Sequence, residues 1–231
     1  MKIKQNFLHV VGIYTVFALI CLVFLVPLLW TFFSSLRPHA EIFQYSYPLS
    51  LHTFIPIEWT VDNYLAVLID KGFGLFLLNS LFVAIVMVIS SWFVNSMGAY
   101  AFSRSRFKGK EALYFLVLFT MMVPIEATVV PTYTIVKNMG LYDSLWALII
   151  PWIAEPFGIF LLRQFIDGIP RDLDDAAKVD GCSFWQIYWH VILPNITSAQ
   201  ITLAIMKFIW AWSAFFWPLV ITESRNNMTI Q

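Results

Sequence analysis

The sequence predicts an all-α, polytopic membrane protein built as a bundle of five transmembrane helices, and three observations carry that reading. Of 231 residues, 60% are apolar and only 12% are charged, with a mean hydropathy of +0.75. That is more apolar surface than a water-soluble core of this size takes up. The apolar residues gather in five runs near the roughly 20 residues that a helix needs to cross about 30 Å of hydrocarbon. The runs are continuous rather than alternating, which argues against barrel strands.

The first run spans about Leu8 to Phe33, behind Lys2 and Lys4. It is too long for a secretory signal and no small-residue cleavage site follows, so residues 1–36 are read as an N-terminal tail and first membrane helix. Residues 37–72, with Pro38, Pro48 and Pro56, form a long polar outer loop. The remaining segment, 73–231, is the helical core. Its runs extend from about Phe73 to Phe102, Ala112 to Val136, Ser144 to Leu162 and Ile196 to Thr222. The sequence ends in a polar segment after an odd-numbered span, which leads us to expect a sixth helix beyond it.

Orientation follows from Lys and Arg in the short connections, because positive charge resists translocation. With the N-terminus in the cytoplasm, Lys2, Lys4, Arg104, Arg106, Lys108, Lys110, Arg163, Arg171 and Lys178 all lie inside, nine in total. Arg37, Lys71, Lys137 and Arg225, four in total, lie outside, and Lys207 falls within the fifth span. Net charge is zero, with no basic block that would point to a nucleic-acid partner. Cys21 sits in a span and Cys182 in an inner loop, so they are not expected to form a disulfide.

The inner connection 167–194 is the most informative stretch and reads as helix, turn, helix. Pro170 suits a first helical position, and Asp172, Asp174 and Asp175 suit the positive end of the helix dipole. Asp180-Gly181 breaks the helix where glycine takes positive φ freely. Ser183 is placed to cap a second helix whose Phe184, Ile187, Tyr188 and Val191 form an apolar face. Ala176 and Ala177, two small side chains beside the turn, would let another protein's surface approach the backbone closely. The alternative is a helical hairpin lying passively on the lipid interface.

Ionisable groups at membrane depth are costly and normally face a partner or a water-filled path. At about 1.5 Å per residue, Lys207 lies roughly 17 Å above the start of the fifth span and Glu155 roughly 12 Å above Arg163. Those similar depths allow either an ion pair between neighbouring helices or a contact with a transported solute. Glu126, beside Pro124, is read as solvated in a kinked segment near the outer face. Trp210, Trp212, Phe215, Phe216 and Trp217 crowd the fifth span; rings of this kind stack on sugars but also serve as packing and interface anchors. His9, His39, His52 and His190 show no metal-ligand spacing, so no metal site is expected.

Asp175-Ala176-Ala177, three residues, Gly181, nine residues, then Val191-Ile192-Leu193-Pro194 closely resembles the E-A-A-x3-G-x9-I-x-L-P loop of binding-protein-dependent ATP-binding-cassette (ABC) importer permeases. Asp175 and Val191 replace the usual Glu and Ile. Asn79-Ser80-Leu81, Ala99 to Arg104, Phe107 to Lys110, Phe160 to Phe165 and Trp212 to Leu219 are similar to the carbohydrate-importer branch, with its maltose-type and glycerol-phosphate-type members and MetI-like fold. Ser213 stands where that branch usually has Asn.

The resemblance implies a bacterial inner-membrane, multi-pass permease subunit that moves a sugar or related polyol. It further implies a second homologous permease, two ATP-binding subunits and an external solute-binding protein as partners, all within membrane lipid. Asp175, Ala176, Ala177, Asp180, Gly181, Phe184, Leu193 and Pro194 would couple the chain to the ATPase. Glu155, Lys207, Trp212, Ser213 and Phe216 are the candidates for the solute path. The chain has no G-x-x-x-x-G-K-[ST] loop, so Mg-ATP is expected on the partner ATPase and no cofactor on this chain. The main rival is a proton-coupled secondary transporter using Glu126, Glu155 and Lys207 as a relay, although no inverted repeat is visible. A membrane enzyme is weaker still, since H-E-x-x-H and G-x-S-x-G are absent.

Overall fold

The computed structural model describes residues 2–44 and 50–231, and with them an all-helical chain without a strand among the described residues. Pro48 of the outer loop lies outside the described residues. The chain forms two compact units, Met1–Gly74 and Leu75–Gln231.

The first unit contains α1 (Lys2–Ser35), α2 (His39–Gln44), α3 (Leu51–Phe54) and α4 (Asp62–Leu65), the last continuing as a π turn over Ala66–Asp70. Residues His9–Ser35 of α1 are long and apolar enough to span, and none of the apolar window is buried within the unit. The loop beyond α1 is organised around two buried charges. Arg37, 1% exposed, donates to the carbonyls of His52 and Thr53, and the Glu41 carboxylate accepts from the backbone N–H groups of Ile57 and Glu58. Asn63 closes the turn by donating to the carbonyls of Ser35 and Arg37.

The second unit is built on α5 (Phe73–Arg104), a 32-residue span. Its buried stripe includes Val83, Met87, Ser91, Asn95, Ala99, Phe102 and Ser103, spacings of three and four that place small and polar groups against neighbouring helices. Around it lie α6 (Lys110–Phe119), α7 (Ile125–Asn138), α8 (Leu145–Ile149), α9 (Pro156–Asp167), α10 (Arg171–Val179), α11 (Phe184–Ile187), α12 (Leu193–Asn195), α13 (Thr197–Trp212) and α14 (Phe216–Ile221).

The five expected spans are kept, but among the described residues only α1 and α5 are continuous; the other three crossings are each a bent pair of helices. The third bends by 107° between Met122 and Ile125, because Pro124 holds Val123 in extended backbone (φ −84°, ψ 118°) and offers no N–H. The fourth bends by 45° at 153–155, after a 3-10 turn containing Pro151 and before Pro156 at the start of α9. The run read as the fifth span stops at Ser213 and resumes in α14, and α13 makes a 79° bend with the preceding helix at Ile196. The sixteen residues of α13 rise only about 24 Å, short of a full crossing.

The loop before α8 and the segment after α14 are tied together by Asp143, whose φ of 53° is the one positive value at a non-glycine among the described residues. Its carboxylate accepts from the backbone N–H groups of Glu223 (2.9 Å) and Ser224 (3.0 Å), and its carbonyl accepts from Asn227. These donors, the Glu223 N–H foremost, draw the Asp143 carboxyl down to about 2. Because the folded value lies below the ordinary carboxylate value of about 4, the contribution is full above that pH and is lost as pH falls through the folded value. Amide protection at Glu223 and Ser224 is therefore expected to fall between about pH 4 and about pH 2, and Asp143→Asn should remove that dependence. Protection that stays flat over this window in the unsubstituted chain would show that the carboxylate does not hold the joint.

Candidate functional site

The hairpin over residues 170–195 is shaped by local sequence. Pro170 sits at the N-cap of α10 (φ −55°, ψ 133°), one position before the helical site expected for it, and Asp172 and Asp174 lie in the first turn. At the other end the N–H of Cys182 reaches the Ala177 carbonyl and that of Gly181 the Lys178 carbonyl, a C-terminal closure that needs the left-handed φ of 83° at Gly181. Ser183 and Gln186 then form a reciprocal capping box opening α11. A π turn over Tyr188–Ile192 links α11 to α12.

This hairpin is fastened to α5 along its length. The Tyr100 hydroxyl donates to the Phe184 carbonyl at 3.0 Å, with the two rings 4.4 Å apart, and the Tyr188 and Ser96 hydroxyls are 2.7 Å apart. At the end of α5, Arg104 Nε lies 2.6 Å from Asp174 Oδ2, and another guanidinium nitrogen donates to the Ile169 carbonyl at 2.9 Å. Both side chains of the ion pair are buried, at 6% and 8% exposure. The Nε contact is a charge contact too bent for a hydrogen bond, so Nε and Asp174 Oδ1 have no hydrogen-bond partner among the described residues. Ser103 donates to Asp167 beside this pair. Ala177, Ile187, Tyr188, Ile192 and Leu193 complete one core cluster with Ala99, Tyr100, Leu162 and Ile166.

Asp175, Ala176, Asp180, Gly181, Phe184 and Pro194 are exposed on the hairpin, while Ala177 (9% exposed) and Leu193 (6% exposed) point into the chain's own core. The expectation that Ala177 admits another protein's surface is thus corrected: its small side chain lets α10 pack on this core, and Ala176 alone presents a methyl outward. Asp175 pairs with Lys178 at 2.8 Å, and that contact above all lowers the Asp175 carboxyl from its ordinary value.

At membrane depth, Lys207 Nζ lies 3.1 Å from Glu155 Oε2. The Lys207 side chain is 5% exposed and that of Glu155 33%. Trp210, not Trp212, lies against the ammonium, with its ring centre 4.7 Å from Nζ. Trp152 packs on both Trp210 and Trp217. Trp212 instead stacks on Phe208, Ser213 sits exposed in the break between α13 and α14, and Phe216 is exposed. Glu126 is exposed at the start of α7.

Asn95, which the sequence reading did not single out, supports the pair. Its Oδ1 accepts from the Glu155 N–H at 2.9 Å and its Nδ2 donates to Ser91. Gly158 makes room for this amide, since a Cβ there would lie 2.8 Å from Asn95 Nδ2 and 3.1 Å from Leu203. The signal was present as a polar member of an apolar stripe on α5, four residues from Ser91. The Arg104–Asp174 pair was also missed, because its partners are 70 residues apart in sequence.

The broken apolar helices, with a hairpin fastened to α5, are those of a multi-pass membrane protein. Residues 95–231 match the family model described as binding-protein-dependent transport system inner membrane component, and the chain belongs to that family. It is 32% identical over 219 residues to an arabinooligosaccharides transport system permease of Halalkalibacterium halodurans, covering 93% of this chain and 76% of that protein. It is 29% identical to a lactose transport system permease of Rhizobium radiobacter, covering 94% and 77%. The crystal structure of a bacterial ABC transporter involved in the import of the acidic polysaccharide alginate includes a chain similar to this one. There the TM-score is 0.84 at 25% identity, covering 98% of this chain and 78% of the other. The chain is accordingly a membrane-embedded, multi-pass permease of a binding-protein-dependent system.

Proposed function

We propose that this permease translocates a sugar or related polyol, delivered by an extracytoplasmic binding protein, with energy from a separate ATPase that docks on the 171–194 hairpin. A second homologous permease and two ATP-binding subunits complete the assembly, and the N-terminus lies in the cytoplasm. The observation that carries this reading is the fastening of an exposed hairpin tip to α5 through Tyr100, Ser96 and Arg104. A segment held at that many points moves as one body with its helices, so a push on Asp180, Gly181 and Phe184 is passed to the membrane core rather than absorbed. Relatives named for oligosaccharide and lactose transport, together with the excess of Lys and Arg on the hairpin side, support the solute class and the orientation.

Gly181→Val is expected to abolish ATP-driven uptake and co-purification of the ATPase while the chain remains in the membrane. The φ of 83° costs an L residue about 1–2 kcal/mol, and a β-branched side chain fits it worst. Gly181→Asn, which tolerates that region, should keep most of the uptake. Full uptake in the valine variant, or equal loss in both, would remove the hairpin from the coupling path. Uptake in liposomes under a proton gradient without ATP would instead favour the secondary-transporter reading.

A further inference from the structure

The hairpin and α5 enclose a cleft of about 460 Å³ whose Arg106, Arg171 and Lys178 side chains the transport reading leaves without a role. Its polar wall carries Arg104, Arg106, Arg171 and Lys178 together with Asp174 and Asp175. Both carboxylates are already matched, Asp174 by Arg104 at 2.6 Å and Asp175 by Lys178 at 2.8 Å. Arg106 and Arg171, both exposed, form no ion pair among the described residues, so the cleft holds two cationic groups in excess. Arg171 also opens α10, where the helix dipole adds to the positive potential. Tyr100, Phe184 and Ile187 supply the apolar part of the lining.

The position of the cleft selects the kind of anion. Arg104 ends the α5 span and Lys110 begins α6, so residues 105–109 connect two apolar helices at headgroup level, with the exposed ring of Phe107 beside Arg106. On α10 the cleft takes Arg171, Asp174, Asp175 and Lys178, one helical face by spacing. Leu173, Ala176 and Val179 are exposed on another face, which leaves a different surface for a docking protein. Guanidinium groups and apolar side chains in one cleft, beside the connection between two apolar helices, match an amphiphile better than a soluble ion.

We propose that this cleft binds the phosphodiester headgroup of an anionic phospholipid, with Arg106 and Arg171 on the phosphate and the exposed Phe184 ring along the glycerol backbone. The site lies apart from the membrane-depth Glu155–Lys207 pair and does not depend on which solute is carried.

The test uses the full-length chain purified in mild detergent with whatever subunits accompany it. The preparation is re-lipidated with phosphatidylglycerol or phosphatidylcholine, and native mass spectrometry counts the lipid retained. Phosphatidylglycerol is expected to be retained in preference to phosphatidylcholine. Arg106→Gln with Arg171→Gln should weaken that retention about 30-fold, and the corresponding double lysine variant should keep most of it. Equal retention of the two lipids, or no effect of the glutamine pair in a folded chain, overturns the proposal. Displacement by inorganic phosphate or glycerol phosphate at concentrations that leave other lipids bound would assign the cleft to a soluble phosphate ester and overturn the lipid reading. Loss of a co-purifying ATPase with lipid retention unchanged would place Arg106 and Arg171 in a protein interface and overturn it as well. Ala176→Arg, on the exposed α10 face that does not line the cleft, should block ATPase docking and leave lipid retention intact, so failure of the coupling reading and failure of this one are separable.

Discussion

Asp174→Ala is expected to abolish uptake and to lower the yield of folded chain. Arg104 and Asp174 are 6% and 8% exposed and 2.6 Å apart, so removing the carboxylate leaves a largely buried guanidinium that has lost its counter-charge and cannot lose its proton. Breaking one side of such a buried pair costs about 3–5 kcal/mol. The loss falls on the joint between the end of α5 and the start of α10, since Arg104 also holds the Ile169 carbonyl just before the hairpin. Proteolysis between residues 167 and 182 should therefore quicken, and the unfolding temperature in detergent should drop. Arg104→Met with Asp174→Leu offers a sharper comparison. Apolar isosteres of a buried pair are often neutral or stabilising, so the double variant should regain fold and protease resistance beyond either single change. Wild-type uptake and stability in Asp174→Ala would show that the pair does not anchor the hairpin.

Features written in neighbouring residues were the ones the sequence made legible. The start of α5 at Phe73, the turn at Asp180-Gly181 and the cap at Ser183 each depend on a few adjacent side chains, and all three stand in the structure. The breaks in the membrane helices were not legible from hydropathy, because an apolar run has the same average whether its axis is straight or turned by 107°. Pro124, Pro151 and Pro156 were local signs of those turns, but the direction taken after each is set by packing. Sidedness failed for the same reason. Ala176 and Ala177 are chemically identical neighbours, and only the position of α5 and α9 makes the second one core. The outer loop was read as polar and Pro-rich, whereas Arg37 and Glu41 lie buried within it, each bonded to backbone groups 15 to 17 residues away. Contacts of that range leave no periodic trace.

The Glu155–Lys207 pair yields an asymmetric prediction. Lys207 is 5% exposed and its ammonium has Glu155 and the Trp210 face as its contacts, whereas the Glu155 side chain is 33% exposed. Glu155→Gln therefore strands a charge at membrane depth, at a cost of about 3–5 kcal/mol, while Lys207→Met leaves a carboxylate that water still reaches. Uptake should fall further in Glu155→Gln than in Lys207→Met, the reverse of the order expected if Lys207 alone held an anionic solute. Exchanging the charges, Glu155→Lys with Lys207→Glu, should recover part of the activity of the defective single variant. Recovery stays incomplete because residue 155 is the N-cap of α9, where the helix dipole disfavours a cation, and its N–H remains bound to Asn95. The kinetic form of the loss separates the two roles. A pair that only holds the break in the fourth span lowers maximal uptake with KM unchanged, since the solute never touches it. A rise in KM that tracks the charge at position 155 across different solutes would move the pair from the scaffold into the solute path, and Trp152 and Trp210 would then line that path with it.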